Sequence, residues 1–330
     1  MRSVTAAGLA VLAILAAVGV GLTAGRVARP VPSASPPVVA LTLAPTPSPA
    51  PVDEATLFHQ PLSAGCATAD IAWVVTNGGG LLRYDGAHWA QVDDTLRSLT
   101  RVACTPGKVY AVGLVGSFVR VDEQARQISS DAITIDDLFG VSIVGDGALI
   151  VGSHGAVHVV AAGNIQPYAQ GIDEDLRGVV AFTLRSAWAV GAAGTTYRLD
   201  DRGWSLVPAP TTSTLRAVAA RTAADPVAVG DGGTIVRYRD GAWRAVASGV
   251  GTTLRDVTAV PQLWIAGDAG TLLTGTLDAL RSVDLRTTCD LVSVFPVGAS
   301  GDVFVLGSSA GAGGVWLLRG GAVSRHWGTC

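Results

Sequence analysis

Short apolar runs broken by glycine recur along the chain from Leu62 to its end. The clearest is Val229-Gly230-Asp231-Gly232-Gly233-Thr234-Ile235-Val236-Arg237-Tyr238, followed by Asp240-Gly241-Ala242-Trp243. The pattern predicts a strand ending at Val229, a two-residue hairpin turn, a second strand, and an Asp-Gly turn into a third. Glycine is expected in the first turn because primed hairpins need positive φ, which costs glycine nothing. Ala189 to Arg198 is a second copy of this text, and Ala111 to Arg120 a third.

In register, the first turn glycine falls at Gly113, Gly152, Gly191, Gly230, Gly267 and Gly307, steps of 39, 39, 39, 37 and 40 residues. An upstream copy has Thr76 in the glycine position, with Gly79 and Arg83 matching Gly194 and Arg198. Each copy opens on a Leu-x-x-Val strand such as Leu176-Arg177-Gly178-Val179, continues through an aromatic-apolar strand such as Ala187-Trp188-Ala189-Val190, and usually ends on an outer strand near Trp89, Trp204 or Trp243. Four short strands per ~40-residue period predict an all-β fold, a β-propeller of four-stranded antiparallel blades. Seven blades is the best count, with six or eight left open by a weak first copy and an insertion in the last. The strands lack clean polar alternation, as expected where each blade is covered on both faces.

The N-terminal residues follow other patterns. Val4 to Ala24 is an uncharged run of 21 residues after Arg2, longer than the ~7–15 residues of a secretory h-region and near the ~20 needed to span a bilayer. Residues 1–25 are therefore expected to form an apolar helix acting as an uncleaved signal anchor, with a cleaved signal peptide as the alternative. Either places everything downstream on the extracytoplasmic side, tethered to the cell membrane by a single pass or secreted. Residues 26–52 form a linker in which Pro30 to Val52 holds eight of the 16 prolines, a composition that favours an extended stalk. Residues 53–330 are the propeller. Ring closure then packs blade seven on blade one, with Leu57-Phe58-His59 as a candidate added edge strand.

Composition narrows the function classes. A net charge of −3 and only 15% charged residues leave no basic excess for a phosphate backbone, so no nucleic-acid partner is expected. Four cysteines in an exported domain permit disulfides. Of three connectivities, Cys66–Cys104 with Cys289–Cys330 is preferred, because Cys66 and Cys104 lie on inner strands of adjacent blades while Cys289 enters blade seven and Cys330 ends it. No Cys-x-x-Cys or paired Cys/His spacing marks a metal site, and no cofactor is implied. Leu62-Ser63-Ala64-Gly65-Cys66 has the outline of a lipoprotein box but reads as blade sequence.

The arginines fall into two families. Arg177, Arg216 and Arg255 recur where the innermost strand begins, with Arg101 near the same place in blade two. These positions ring the mouth of the central channel, where guanidinium groups suit bidentate carboxylate or phosphate acceptors; pairing with local carboxylates such as Asp175 or Asp256 is the competing reading. Arg83, Arg120, Arg198 and Arg237 recur at the far end of the third strand and are expected to stack on tryptophans of neighbouring blades. Trp73, Trp188 and Trp264 in second strands, and Trp89, Trp204 and Trp243 at outer strands, read as core.

No catalytic residues are assigned. His154 and His158 fall on one strand, about 13 Å apart at strand rise, and Ser153-His154 has no acid partner at triad spacing. Asp136-Asp137 and Asp173-Glu174-Asp175 are acidic loop clusters that would suit glycosidic chemistry or a cation, but read first as solvated loop acids.

The blade text Trp-Ala-Val-Gly-x-x-Gly-Thr-x-x-Arg, then Asp-Gly-x-Trp, resembles the photosystem II stability/assembly factor family and related bacterial-neuraminidase-repeat propellers. The best matches are Val229 to Trp243 and Trp188 to Trp204, and the resemblance extends over Asp53 to Cys330. It implies a seven-bladed, non-enzymatic assembly protein that binds a membrane-protein subunit on a propeller face. The family's fuller turn is shortened here to Tyr84-Asp85-Gly86-Ala87-His88-Trp89 and Arg239-Asp240-Gly241-Ala242-Trp243, and no sialidase catalytic set is recognisable. The resulting expectation is a monomeric, membrane-tethered scaffold binding a protein or peptide through Arg101, Arg177, Arg216 and Arg255. An exported glycan hydrolase or lyase acting in the channel, or a glycan-binding module, is the alternative.

Overall fold

The computed structural model describes residues 41–42, 54–69, 71–94, 97–123, 127–168 and 171–330. The N-terminal apolar run, and all of the Pro-rich segment except Leu41–Thr42, lie outside them. From Leu62 onward, seven antiparallel sheets of four consecutive strands follow one another in chain order. The innermost strands are Leu62–Thr68, Leu99–Thr105, Leu138–Val144, Leu176–Thr183, Leu215–Ala220, Leu254–Thr258 and Asp290–Pro296. Each packs beside the next, and the seventh beside the first, around one channel. The fold is a seven-bladed β-propeller. Leu41–Thr42 adds a fifth strand to blade two, antiparallel to Gln127–Ile128.

Burial follows radius. All six residues of the second strand Gly147–Gly152 are buried, whereas most of the outer strand Ala322–Gly328 is exposed. Apolar side chains from both faces of each blade interleave with the neighbouring blades, so the core is a ring of inter-blade clusters.

Among the described residues, no strand is shared between the two ends of the ring. The seam between blades seven and one is closed by side chains, with Tyr84 and Trp89 meeting Phe304 and Trp327 at ring-centroid distances of 5.4–6.1 Å. Leu57 and Phe58 join this cluster from a helical turn, Glu54–Leu57, and not from an edge strand. Phe58 is an edge-on partner of Trp89, and its carbonyl accepts from Gly313 N at 2.8 Å. A helical turn points both apolar side chains into the seam, which an extended strand, alternating its faces, would not do.

The turn between second and third strands also differs from the two-residue hairpin expected. Gly230 N donates to Thr234 O, enclosing the short 3₁₀ turn Asp231–Gly233. Gly230 itself is extended, at φ −169°. It is glycine because a Cβ there would stand 2.0 Å from Thr214 O. Positive φ belongs to the next residues, Gly232 and Gly233, and the primed pair is found instead at Asp240–Gly241.

Candidate functional site

Each innermost strand carries a β-bulge after a leucine that opens the strand or, in blade seven, follows Asp290. The register skips one residue between Leu62 and Ala64, and likewise in all seven blades. The skipped residues are Ser63, Thr100, Phe139, Arg177, Arg216, Arg255 and Val292. A bulge re-aims the side chain it releases from the ladder, and all seven line one cavity of about 390 Å³ at the channel mouth. Arg177, Arg216 and Arg255 thus form a cationic arc across blades four to six. Phe139 precedes it in blade three, and the neutral Val292, Ser63 and Thr100 complete the circle.

Arg101 is not equivalent to these three. It lies one residue beyond the bulge, paired with Val112, and reaches across the bore. Its Nη1 is 3.1 Å from Oδ1 of Asp256, the same position in blade six. Asp256 is buried, and its Oδ2 accepts from Ser293 Oγ at 2.7 Å and Val294 N at 3.0 Å. This network occupies the channel below the mouth. A second, smaller cavity of about 210 Å³ is lined by Arg101, Asp256 and inner-strand residues.

The arc arginines pair with carboxylates behind them. Arg177 Nη2 donates to Asp175 Oδ2 at 2.9 Å, Arg216 pairs with Asp231, and Arg255 pairs with Asp268 and, at 3.4 Å, with Asp290. The arginine side chains remain about a third exposed, where such pairs are worth ~0–1 kcal/mol. None of the described lining residues of the mouth cavity is acidic. The carboxylates orient the guanidinium groups and leave donors facing the cavity. Arg177 is held further by Phe139, whose ring centroid is 4.0 Å from its guanidinium carbon. Its Nε is buried without a hydrogen-bond partner.

The acidic loops have structural duties. Asp137 Oδ1 accepts from Val115 N, Asp175 Oδ1 from His154 N, and Asp290 Oδ1 from Ala269 N, so each clasps the turn of the preceding blade. Asp136 meets His154 Nδ1 at 3.1 Å, and Glu174 accepts from Tyr197 OH at 3.1 Å. His154 is in the 3₁₀ turn Ser153–Gly155 at φ 51°, not on a strand with His158. His158 is buried on the strand Val157–Ala161. Among the described residues, no group of three or more His, Cys, Asp or Glu is placed to hold a metal.

On the opposite face, Arg83 and Arg198 stand over Trp73 and Trp188 at 5.8 Å, and Arg120 over Tyr110 at 5.7 Å. These rings belong to the arginines' own blades and not to neighbours, because the two residues are paired across adjacent strands. Arg237 faces Val227 and instead forms a two-point pair with Asp225 at 2.7 and 3.0 Å. Cys66 is bonded to Cys104 and Cys289 to Cys330, each with Cα atoms 5.9 Å apart.

No protein-family model matches the chain. No curated protein matches it either. Solved structures do. YCF48 bound to D1 peptide aligns with a TM-score of 0.64 at 14% identity, over 79% of this chain and 92% of that one. YCF48 from Cyanidioschyzon merolae gives 0.63 at 15%, over 79% and 96%. The WD40 β-propeller domain of Doa1 gives 0.69 at 14%, over 79% and 94%. The likeness is one of fold. YCF48 and a WD40 propeller both share it, so the fold alone names no site.

Phe139 is a mouth residue that neither charge nor motif marks. Its signal lay in the repeat, since it follows Leu138 as Arg177 follows Leu176.

Proposed function

We propose that this chain is a non-catalytic binding propeller that takes an acidic peptide segment at the channel mouth. The observation that carries the reading is the mouth cavity, with its arc of Arg177, Arg216 and Arg255 and no acidic residue among its described lining. Acidic side chains or a C-terminal carboxylate would seat on the arc, on the guanidinium donors that the carboxylates behind it do not engage. Phe139 and Val292 would receive apolar parts of the same segment. Arg101 is committed to Asp256 and acts as the floor of the site. YCF48, a propeller of the same fold solved with a D1 peptide, gives a precedent for peptide capture. The resemblance of the blade text to assembly factors is what points to a membrane-protein subunit as the source of the acidic segment.

The same proposal holds the propeller on the extracytoplasmic side of a membrane, with Val4 to Ala24 as anchor and the Pro-rich segment as stalk. All four cysteines are in disulfides, which suits an oxidising compartment.

An acidic peptide carrying one photocrosslinking residue tests the site. Crosslinks mapped by mass spectrometry are expected on the segments around Phe139, Val292 and Arg216. Crosslinks confined to the outer strands would refute the assignment.

A further inference from the structure

The seam between blades five and six departs from the other six. Three positions fill the outer part of each seam: one in the second strand of the earlier blade, and a cross-strand pair in the third and fourth strands of the later one. Between blades four and five they are Trp188, Tyr238 and Trp243, with ring centroids 4.6–5.6 Å apart. Between blades seven and one they are Phe304, Tyr84 and Trp89. Other seams hold at least one ring, as with Trp73, Tyr110, Trp204 or Trp264. Between blades five and six the residues are Val227, Gly275 and Leu280, with Gly275 paired to Leu280 as Tyr238 is to Trp243. None is aromatic.

A cavity of about 540 Å³ opens at this place, on the face opposite the arginine mouth, with Val227 and Gly275 in its lining. Its volume lies within the ~300–1,000 Å³ of ligand sites. Arg237 also lines it, at the position from which Arg83, Arg120 and Arg198 cover their own blades' rings. Here the ring is missing, and Asp225 holds the guanidinium in place from one edge. Asp225 and Asp278 supply acceptors in the same lining. In the filled neighbouring seam, Trp188 Nε1 donates to Ala223 O at 2.9 Å, so an aromatic group there combines stacking with one polar contact.

We infer that this cavity is a binding site for an aromatic side chain, tryptophan or tyrosine, presented by a protein partner. The inserted ring would take the place that Trp188 holds one blade earlier. It would lie against Arg237 with its N–H or O–H turned to a carboxylate of the lining. Cation–π contact and burial of a large flat surface at modest entropic cost are what make such residues interface anchors. The site is independent of the channel mouth, and the protein therefore has two binding faces.

The test uses the full chain and small probes that mimic the anchor. N-acetyltryptophanamide and N-acetyltyrosinamide are titrated by saturation-transfer NMR, with N-acetylleucinamide as the apolar control. Both aromatic amides are expected to bind at least tenfold more tightly than the leucine amide. Val227→Trp fills the cavity from within and is expected to weaken them at least tenfold without lowering the melting temperature. Val227→Phe serves the same purpose should tryptophan overpack the seam. An Arg177→Ala/Arg216→Ala/Arg255→Ala variant is expected to leave aromatic binding unchanged, which separates this site from the mouth. Equal binding of leucine and aromatic amides, no binding of either, or binding undiminished in a folded Val227 variant would overturn the inference.

Discussion

Gly230 and Gly232 stand two residues apart in one turn and answer to different constraints. At Gly230 the φ is ordinary and the space is absent, with Thr214 O where a Cβ would be. At Gly232 the φ is +65° and nothing lies within 4 Å. Blades three, four and six place His154, Ala193 and Ala269 in the Gly232 position at φ 51–52°. Gly230→Ala is therefore expected to destabilise by about 1–3 kcal/mol through overpacking, and Gly232→Ala by no more than ~1 kcal/mol. Urea unfolding of the two variants beside the parent measures both. Two histidines, one buried and one on an exposed outer strand, give a second prediction at this scale. Burial holds His158 below its ordinary pKa, opposed by the nearby charge of Asp136, and partial desolvation of the ring stacked on Trp316 lowers His326. The unfolded chain then binds protons that the folded one refuses. Stability is full above pH ~7 and falls as pH drops through ~6.5 toward the lowered native values. Replacing both histidines with glutamine is expected to flatten the melting temperature between pH 7 and 5. A slope unchanged by the replacement would place the proton uptake elsewhere.

The elements that close the ring are small. Seven blades of consecutive strands leave the last seam without a shared strand, so Phe58, 1% exposed between Trp89 and the blade-seven side chains, carries part of the closure. Phe58→Ala is expected to cost ~3–5 kcal/mol, with hydrogen exchange accelerating first in blades one and seven. A uniform increase around the ring would argue against a local latch. The disulfides act on the same ends. Cys66–Cys104 ties blades one and two, and Cys289–Cys330 fixes the last residue beside the entry to blade seven. Each closes a loop of about forty residues, and reduction of either is expected to cost ~2–4 kcal/mol. Denaturation midpoints of Cys66→Ser/Cys104→Ser and Cys289→Ser/Cys330→Ser variants check this.

Across the whole molecule, the repeat was legible because each blade writes the same leucine, aromatic strand and glycine at a nearly constant step. The bulge was not, since skipping one residue in a ladder leaves the spacing of the text unchanged. It is the bulge that turns Arg177, Arg216 and Arg255 into the mouth and leaves Arg101 a step deeper. The Arg101–Asp256 pair joins residues 155 apart in sequence across the bore, where no local pattern could link them. Likewise the partners of the far-face arginines follow from cross-strand register, which makes them neighbours within a blade and not between blades. What the ring then builds is a cup with guanidinium donors on one side and neutral or aromatic groups on the other. We propose that this cup captures acidic peptide. The direct measurement is the fluorescence anisotropy of a labelled acidic peptide titrated with the full chain at 50 and 300 mM salt. Binding is expected to weaken with salt and to fall at least tenfold in a folded Arg177→Ala/Arg216→Ala/Arg255→Ala variant. Equal affinity of parent and variant at both salt concentrations would contradict it.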